Sequence, residues 1–358
     1  MLPFNSFGLK QIVILTLVAV CTGPAGAQLI CYEGFGSYSA GVQVESGGNG
    51  SAGTGLNGGL GWGGAFDVNN SIKSLVLIEN RAATPVTYTN GEITIPGGDR
   101  ALRFYDIANG AYAVQRPIGT TFSAAAGETL WFGILFRTNN VSPLANQDFF
   151  QIGFDDTAGA TNPRVSIGAN TTSSTFSAPF QFFARSTTVG STSVFHSTLP
   201  IAAITTYFLV GRIQPNAGAY DTVSLWVNPS TLEDPGPPSA TVTLASGLAT
   251  LSHAFIRTVN LDPGDAYVLD EWRIARDYGS AVASLRNALR ILPANLPGGF
   301  PTVRWPASLP GVVLETSATL APESWTEVTG PFTLSGSDHE FPVPTGPGIT
   351  RGFFRLRR

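Results

Sequence analysis

Few side chains in this 358-residue sequence have the type and spacing to act as acids, bases, nucleophiles or metal ligands. Cleavage of a glycosidic bond takes two carboxylates that face the bond, one as acid and one as nucleophile or base. On a strand, two residues that share a face lie two positions apart. The sequence contains no Glu-x-Asp, and its carboxylate neighbours are adjacent residues: Asp155 with Asp156, Glu233 with Asp234, and Asp270 with Glu271. Adjacency on a strand predicts opposite faces, with Asp270 in a structural hydrogen bond and Glu271 solvated. Taking the α-proton of a uronate needs a His or Tyr base beside a Gln and an Arg. Gln151 and Ile152 begin a Gln-Ile-His triplet of that kind, but Gly153 stands in the third place. The histidines, His196, His253 and His339, lie in separate segments, and no G-x-S-x-G nucleophile elbow occurs.

Two groups of residues could hold a ligand without catalysis. Calcium takes oxygen ligands from irregular loops, which makes Asp262 and Asp265 (in Asp-Pro-Gly-Asp) and Asp155 with Asp156 the candidates. Ordinary turn chemistry favours the same residues. A zinc site is disfavoured by the scattered histidines and the two cysteines, of which one lies in the leader. Sugar stacking would call on aromatic rings, and Trp62, Trp226 and Trp272 are the candidates, each with a packing role as the alternative. Trp131 sits in an apolar run and reads as core. Residues 53–58 fit G-x-G-x-x-G by letter, but both flanks are polar and glycine-rich, so the strand and helix of a nucleotide site are missing.

These residues must be positioned mainly by strands. In residues 205–229 (TTYFLVGRIQPNAGAYDTVSLWVNP), Tyr207, Leu209, Gly211 and Ile213 alternate with Phe208, Val210 and Arg212. Beyond a Pro/Asn/Gly turn, Val223, Leu225 and Val227 alternate with Ser224, Trp226 and Asn228, which predicts a β-hairpin. Residues 266–278 (AYVLDEWRIARDY) predict a further strand, with Val268, Asp270, Trp272 and Ile274 on one face. Residues 129–137 (TLWFGILFR) form the most apolar run and should be central. Other strand-like runs lie at 28–35, 74–78, 92–95, 101–105, 148–154, 164–167, 180–185, 193–196 and 253–259. No βαβ rhythm is visible, and the turn chemistry fits an antiparallel sandwich. Val282, Leu285, Leu289 and Leu292 recur at helical spacing, predicting one helix from Gly279–Ser280 to a stop at Pro293. A Pro/Gly linker follows.

The "FLVGRI…DTVSLWVNP" hairpin, the late "DEWRI" strand and the Gly61-Trp62-Gly63 segment resemble the concanavalin A-like (LamG-type) jelly-roll secreted proteins of planctomycete and verrucomicrobial bacteria. Residues 301–358 are similar to a small C-terminal β-domain of secreted verrucomicrobial proteins, through "VLETSATL", "WTEV" and the ending "FFRL". Val313 stands where that pattern has an aromatic. The resemblance implies a lectin-like fold whose members often bind calcium at the rim, although no calcium motif transfers residue by residue.

Composition agrees. The chain is 43% apolar and 12% charged, with 41 Gly and 25 Pro, which is too apolar for disorder and suits many short strands joined by turns. A net charge of −4 offers no basic patch for nucleic acid. Residues 1–27 read as a signal peptide: Lys10, an apolar core at 12–20, and Ala25-Gly26-Ala27 before Gln28. That core is shorter than the ~20 residues of a spanning helix. Cys21 raises a lipoprotein alternative, against which Val20 stands where a small residue is wanted. The expected architecture is all-β: signal peptide 1–27, concanavalin A-like jelly-roll sandwich 28–278, one short helix with a linker 279–300, and a small β-domain 301–358. The expected function is a secreted or periplasmic, non-enzymatic protein that binds extracellular polysaccharide or cell-surface glycan. A jelly-roll hydrolase or lyase and a purely structural surface protein are the alternatives.

Overall fold

The alternation in residues 205–229 becomes a hairpin of Thr206–Asn216 and Ala219–Val227, with Leu209 opposite Val227 and Ile213 opposite Val223. Ala217 and Gly218 close it at φ 50° and 86°, and a two-residue loop with both φ positive matches the twist of the strands it joins. Tyr207, Leu209 and Ile213 enter the main core, while Phe208 and Val210 join a second cluster on the other side of the sheet.

The computed structural model describes residues 29–44, 55–68, 76–105, 111–138, 149–158, 162–170, 180–188, 190–259, 261, 264–283, 290–292, 302–306, 313–318, 324–335, 338–343 and 353–357. Residues 1–27, expected to be a signal peptide and including Cys21, lie outside them, as does Asp262. One large antiparallel sheet runs, in spatial order, Ala240–Leu248, Ala219–Val227, Thr206–Asn216, Leu130–Thr138, Ala266–Ala275, Arg100–Tyr105 and Val76–Asn80, with Leu29–Glu33 also paired to Ala266–Ala275. The other runs Ser191–Pro200, Gln181–Thr188, Val165–Asn170, Phe149–Asp155, Thr250–Val259, Ala111–Ser123 and Asp67–Val68. Leu130–Thr138, the most apolar run, is indeed central, between Thr206–Asn216 and Ala266–Ala275. The main core lies between the sheets, with Phe132, Phe136, Phe150, Phe154 and Phe182 fully buried. Each such side chain contributes about 1.5–3 kcal/mol by leaving water. The fold is an all-β sandwich of two large antiparallel sheets.

One strand departs from simple alternation. Between Asp270 and Arg273 the register of Ala266–Ala275 slips against Leu130–Thr138, and Glu271 takes φ 57°. A bulge of this kind inserts one residue and reverses the phase. Leu269, Trp272 and Ile274 therefore face the main core, while Val268 and Ala275 belong to the outer cluster. The expected single face of Val268, Asp270, Trp272 and Ile274 is thereby corrected, and so is the solvated Glu271. Glu271 is fully buried, accepting from Tyr32 Oη at 2.9 Å and from Arg273 Nη2 at 2.5 Å. Asp270 accepts from the backbone N–H of Gly98 at 2.8 Å and of Glu271 at 2.7 Å.

The outer face of the eight-stranded sheet is covered. The short hairpin Tyr88–Asn90 with Ile93–Ile95 lies on it, fixed by Tyr88 Oη donating to Pro229 O at 2.7 Å. Beside it sits the helix Tyr278–Val282, capped by Asp277, whose Oδ1 accepts from Ser280 N at 2.8 Å. A Cβ on Gly133 would come within 2.5 Å of Ala281 O, so glycine permits this close seat. The helix is shorter than its apolar spacing predicts, and it begins at the Asp277 cap rather than at Gly279–Ser280. Arg290–Leu292 is a strand paired to Thr302–Pro306, because tertiary pairing overrides the local helical pattern there. The C-terminal strands form a four-stranded and a three-stranded sheet around Val303, Trp305 and Leu314, and Phe353–Arg357 pairs with Val313–Ser317.

Candidate functional site

The outer face of the seven-stranded sheet has a different character. Directly paired residues in an antiparallel sheet share a face. Arg257 pairs with Gln151, Gln151 with Gly168, Gly168 with Phe183, and Phe183 with His196. The flanking rows are Phe255, Gly153, Ser166 and Arg185 on one side, and Val259, Phe149, Asn170 and Gln181 on the other. Their sequence neighbours Phe150, Ile152, Phe154, Ile167 and Ile256 point into the main core, which fixes these rows as outward-facing.

The side chains of this face are knitted together by neutral groups. Arg185 Nη1 donates to Gln151 Oε1 and to Asn162 Oδ1, each at 3.0 Å. Gln151 Nε2 donates to Asn162 Oδ1 at 3.2 Å, and Ser166 Oγ donates to Gln151 Oε1 at 3.3 Å. His196 Nε2 lies 3.0 Å from Asn170 Oδ1. Phe149 and Phe183 stack at 5.3 Å. Gly168 makes room for this, since a Cβ there would come within 2.6 Å of Phe183 Cζ. Both arginines reach Phe149: the guanidinium carbons of Arg185 and Arg257 lie 5.9 and 5.4 Å from its ring centroid.

The electrostatics follow from burial. Burial lowers the pKa of Arg185. Burial, reinforced by the charge of Arg185, brings Arg257 down to about 10, which leaves it protonated at neutral pH. Burial also lowers the pKa of His196, favouring the neutral imidazole. Among the described residues neither Arg185 nor Arg257 forms an ion pair with a carboxylate, and Arg257 Nε is buried without a hydrogen-bond partner.

The tryptophans singled out from the sequence are not gathered here. Trp272 is fully buried in the main core, 4.8 Å from Trp62. Trp62 is half-buried, donates from Nε1 to Tyr32 O at 3.1 Å, and carries the Arg116 guanidinium 4.8 Å above its ring. Trp226 lies in the outer cluster of the opposite sheet, 5.2 Å from Trp131 and 5.1 Å from the Arg212 guanidinium. With ring faces taken by protein neighbours, Trp226 and Trp272 serve packing rather than sugar stacking.

The acidic candidates are likewise placed by protein partners. Asp155 is buried and accepts from Arg164 N at 3.1 Å and from Arg164 Nη2 at 2.5 Å, while Asp156 accepts from Arg164 Nη2 at 2.5 Å. The cation at this pair is the Arg164 guanidinium. Asp265 is buried and partnered, and Asp262 falls outside the described residues. Among the described residues, no group of three or more His, Cys, Asp or Glu is arranged to hold a metal ion.

Sequence reasoning missed Arg185, Arg257, Asn162 and Phe149 altogether. It reached Gln151 only through an incomplete triplet. The available signal was the alternation within Phe149–Asp155, Gln181–Thr188 and Thr250–Val259, where Gln151, Arg185 and Arg257 fall on the face opposite the core-facing Phe150, Ile152, Ala184 and Ile256.

No family model matches the chain, and no curated protein matches it. Among solved structures, alginate lyase Aly36B in complex with alginate tetrasaccharide aligns over 71% of this chain and 98% of its own, at 14% identity and a TM-score of 0.40. An endo-beta-1,4-glucuronan lyase from the fungus Trichoderma reesei covers 55% of this chain and 88% of its own, at 14% identity and a TM-score of 0.35. The VIP36 exoplasmic/lumenal domain in its Ca2+/Man2-bound form covers 57% and 82%, at 10% identity and a TM-score of 0.37.

Proposed function

We propose that this chain is a secreted, non-enzymatic glycan-binding protein that holds polysaccharide on the outer face of its seven-stranded sheet. The observation that carries the reading is the convergence of Phe149, Gln151, Asn162, Arg185 and Arg257 from separate segments onto one place. Sugar hydroxyls both donate and accept; amides match both roles, guanidinium groups donate, and an aromatic face packs against the pyranose ring. On this face Phe149, Arg185, His196 and Arg257 are half-buried, while Gln151, Ser166, Phe183 and Phe255 are fully buried; the other large sheet has its outer face covered by a hairpin and a helix. The leader at 1–27 supports export, and among the described residues no helix is long and apolar enough to cross a membrane. Catalysis by a carboxylate pair gains no support. Of the carboxylates on this face, Asp155 is engaged by Arg164 and Asp67 accepts from Gln115 Nε2 at 2.6 Å.

The test is a melting curve of the exported chain, beginning at Gln28, against a panel of soluble neutral and charged polysaccharides. A ligand that binds only the folded state raises the midpoint by mass action. A rise with some members of the panel supports the reading. No rise with any would favour the purely structural alternative.

One observation favours a second reading, a polysaccharide lyase. His196, held neutral by burial, lies on the same face as Gln151 and Arg185, and a neutral imidazole can take a proton. Incubation with a uronate polymer would then release products with the ultraviolet absorbance of an unsaturated uronate. A glycan that binds without any such product excludes this reading for that polymer.

A further inference from the structure

We infer that the glycan held on this face is anionic, and that one of its carboxylate or sulfate-ester groups sits between Arg185 and Arg257. This inference rests on the glycan-binding reading above. Arg257 and Arg185 belong to strands three places apart in the sheet, yet both extend to the ring of Phe149, at 5.4 and 5.9 Å. Two like charges brought together in a half-buried place raise the free energy of the folded chain unless an anion lies between them. The chain does not supply that anion among its described residues. Arg185 is steadied instead by the neutral oxygens of Gln151 and Asn162, which orient a guanidinium without cancelling its charge. Of the acids on this face, Asp155 is paired with Arg164, and Asp67 accepts from Gln115 through Oδ2 while its Oδ1 is buried without a hydrogen-bond partner; neither is bonded to Arg185 or Arg257. The buried Nε of Arg257 adds a donor with no acceptor. The fully buried arginines Arg116 and Arg273 are paired with Glu33 and Glu271. Arg212 on the other sheet also lacks a carboxylate partner among the described residues, but it lies over Trp131 and Trp226 without a second guanidinium on the same rings. Carboxylate and sulfate-ester oxygens accept paired N–H donors from guanidinium groups and form shorter, stronger hydrogen bonds than neutral hydroxyls.

The experiment is equilibrium binding of the exported chain to alginate (carboxylate), carrageenan (sulfate ester) and dextran (neutral), at low and physiological salt. It is run for the wild type, Arg257→Gln and Arg257→Lys. Expected are binding to alginate or carrageenan but not dextran, and weakening with salt. Loss of about tenfold or more in Arg257→Gln is expected from removing a charged hydrogen bond, with partial retention in Arg257→Lys. Which anionic polymer binds tells carboxylate from sulfate ester. Melting curves check folding, and Arg185→Gln replaces Arg257→Gln if the latter does not fold. Binding to dextran with an affinity that Arg257→Gln leaves unchanged would overturn the anionic inference and leave glycan binding standing. No binding to these or to any polysaccharide of the wider panel would remove both.

Discussion

Arg185 and Arg257 set out from strands three places apart and finish over the same ring, Phe149, with no carboxylate partner among the described residues. Arg116 and Glu33 show the contrasting arrangement, a fully buried pair at 2.8 Å. The comparison separates a charge paired within the fold from two charges that the proposal assigns to a ligand.

Arg116 pins the glycine-rich segment to the sandwich. It donates from Nε to Gly64 O at 2.8 Å, from Nη1 to Glu33, and from Nη2 to Gly58 O at 2.5 Å and Asn57 Oδ1 at 3.2 Å. Its removal strands a buried Glu33. Arg116→Ala should destabilise the chain by about 3–5 kcal/mol, read from denaturant unfolding. A loss below about 1 kcal/mol would show that the segment is held by other contacts.

Asp270 provides a pH signature. Burial, and then the charge of Glu271, raise its pKa well above the ordinary carboxylate range. The folded state therefore keeps this proton to higher pH than the unfolded state, whose value is about 3.9. The resulting stability is fully present below that value and is lost as pH rises toward the folded pKa. Asp270→Asn cannot titrate, so its stability should gain on the wild type by about 1.4 kcal/mol per pH unit in the window just above pH ~4. Parallel pH profiles for the two proteins would contradict this account of Asp270.

Calcium should leave the Asp155–Asp156 pair alone, because Arg164 already occupies it as the cation. Melting midpoints in calcium and in chelator should coincide for the wild type. Arg164→Ala, which frees both carboxylates, should lower the midpoint in chelator. A calcium-dependent rise in the wild type that Asp265→Asn abolishes would place a metal at the other acidic loop.

The fold was more legible in the sequence than the site. The hairpin was readable because Tyr207, Leu209 and Ile213 face one core and Phe208 and Val210 another, so alternation survives burial on both faces. The bulge at Asp270–Glu271 was not, since Glu271 holds φ 57° without the glycine that would announce it. That single slip turned Trp272 into the core and buried Glu271. The helical spacing after Gly279 misled beyond Val282, because the apolar Ile291 and Leu292 lie in a strand pairing that only the fold reveals. Arg185 and Arg257 are separated by 72 positions' worth of chain and meet only through the register of four strands. Spacing along one segment carries no trace of that meeting.

The central claim, that ligand binds the outer face of the seven-stranded sheet, is tested most directly by placing matched substitutions on the two sheets. Arg257→Gln alters the proposed face, whereas Arg212→Gln alters an arginine that lies over Trp131 and Trp226 on the other sheet. The measurement is the affinity of each variant, and of the wild type, for whichever polysaccharide raises the melting midpoint. The account predicts a loss of about tenfold or more for Arg257→Gln and wild-type affinity for Arg212→Gln. The reverse pattern, with Arg212→Gln losing affinity and Arg257→Gln keeping it, would contradict the account and move the site to the eight-stranded sheet.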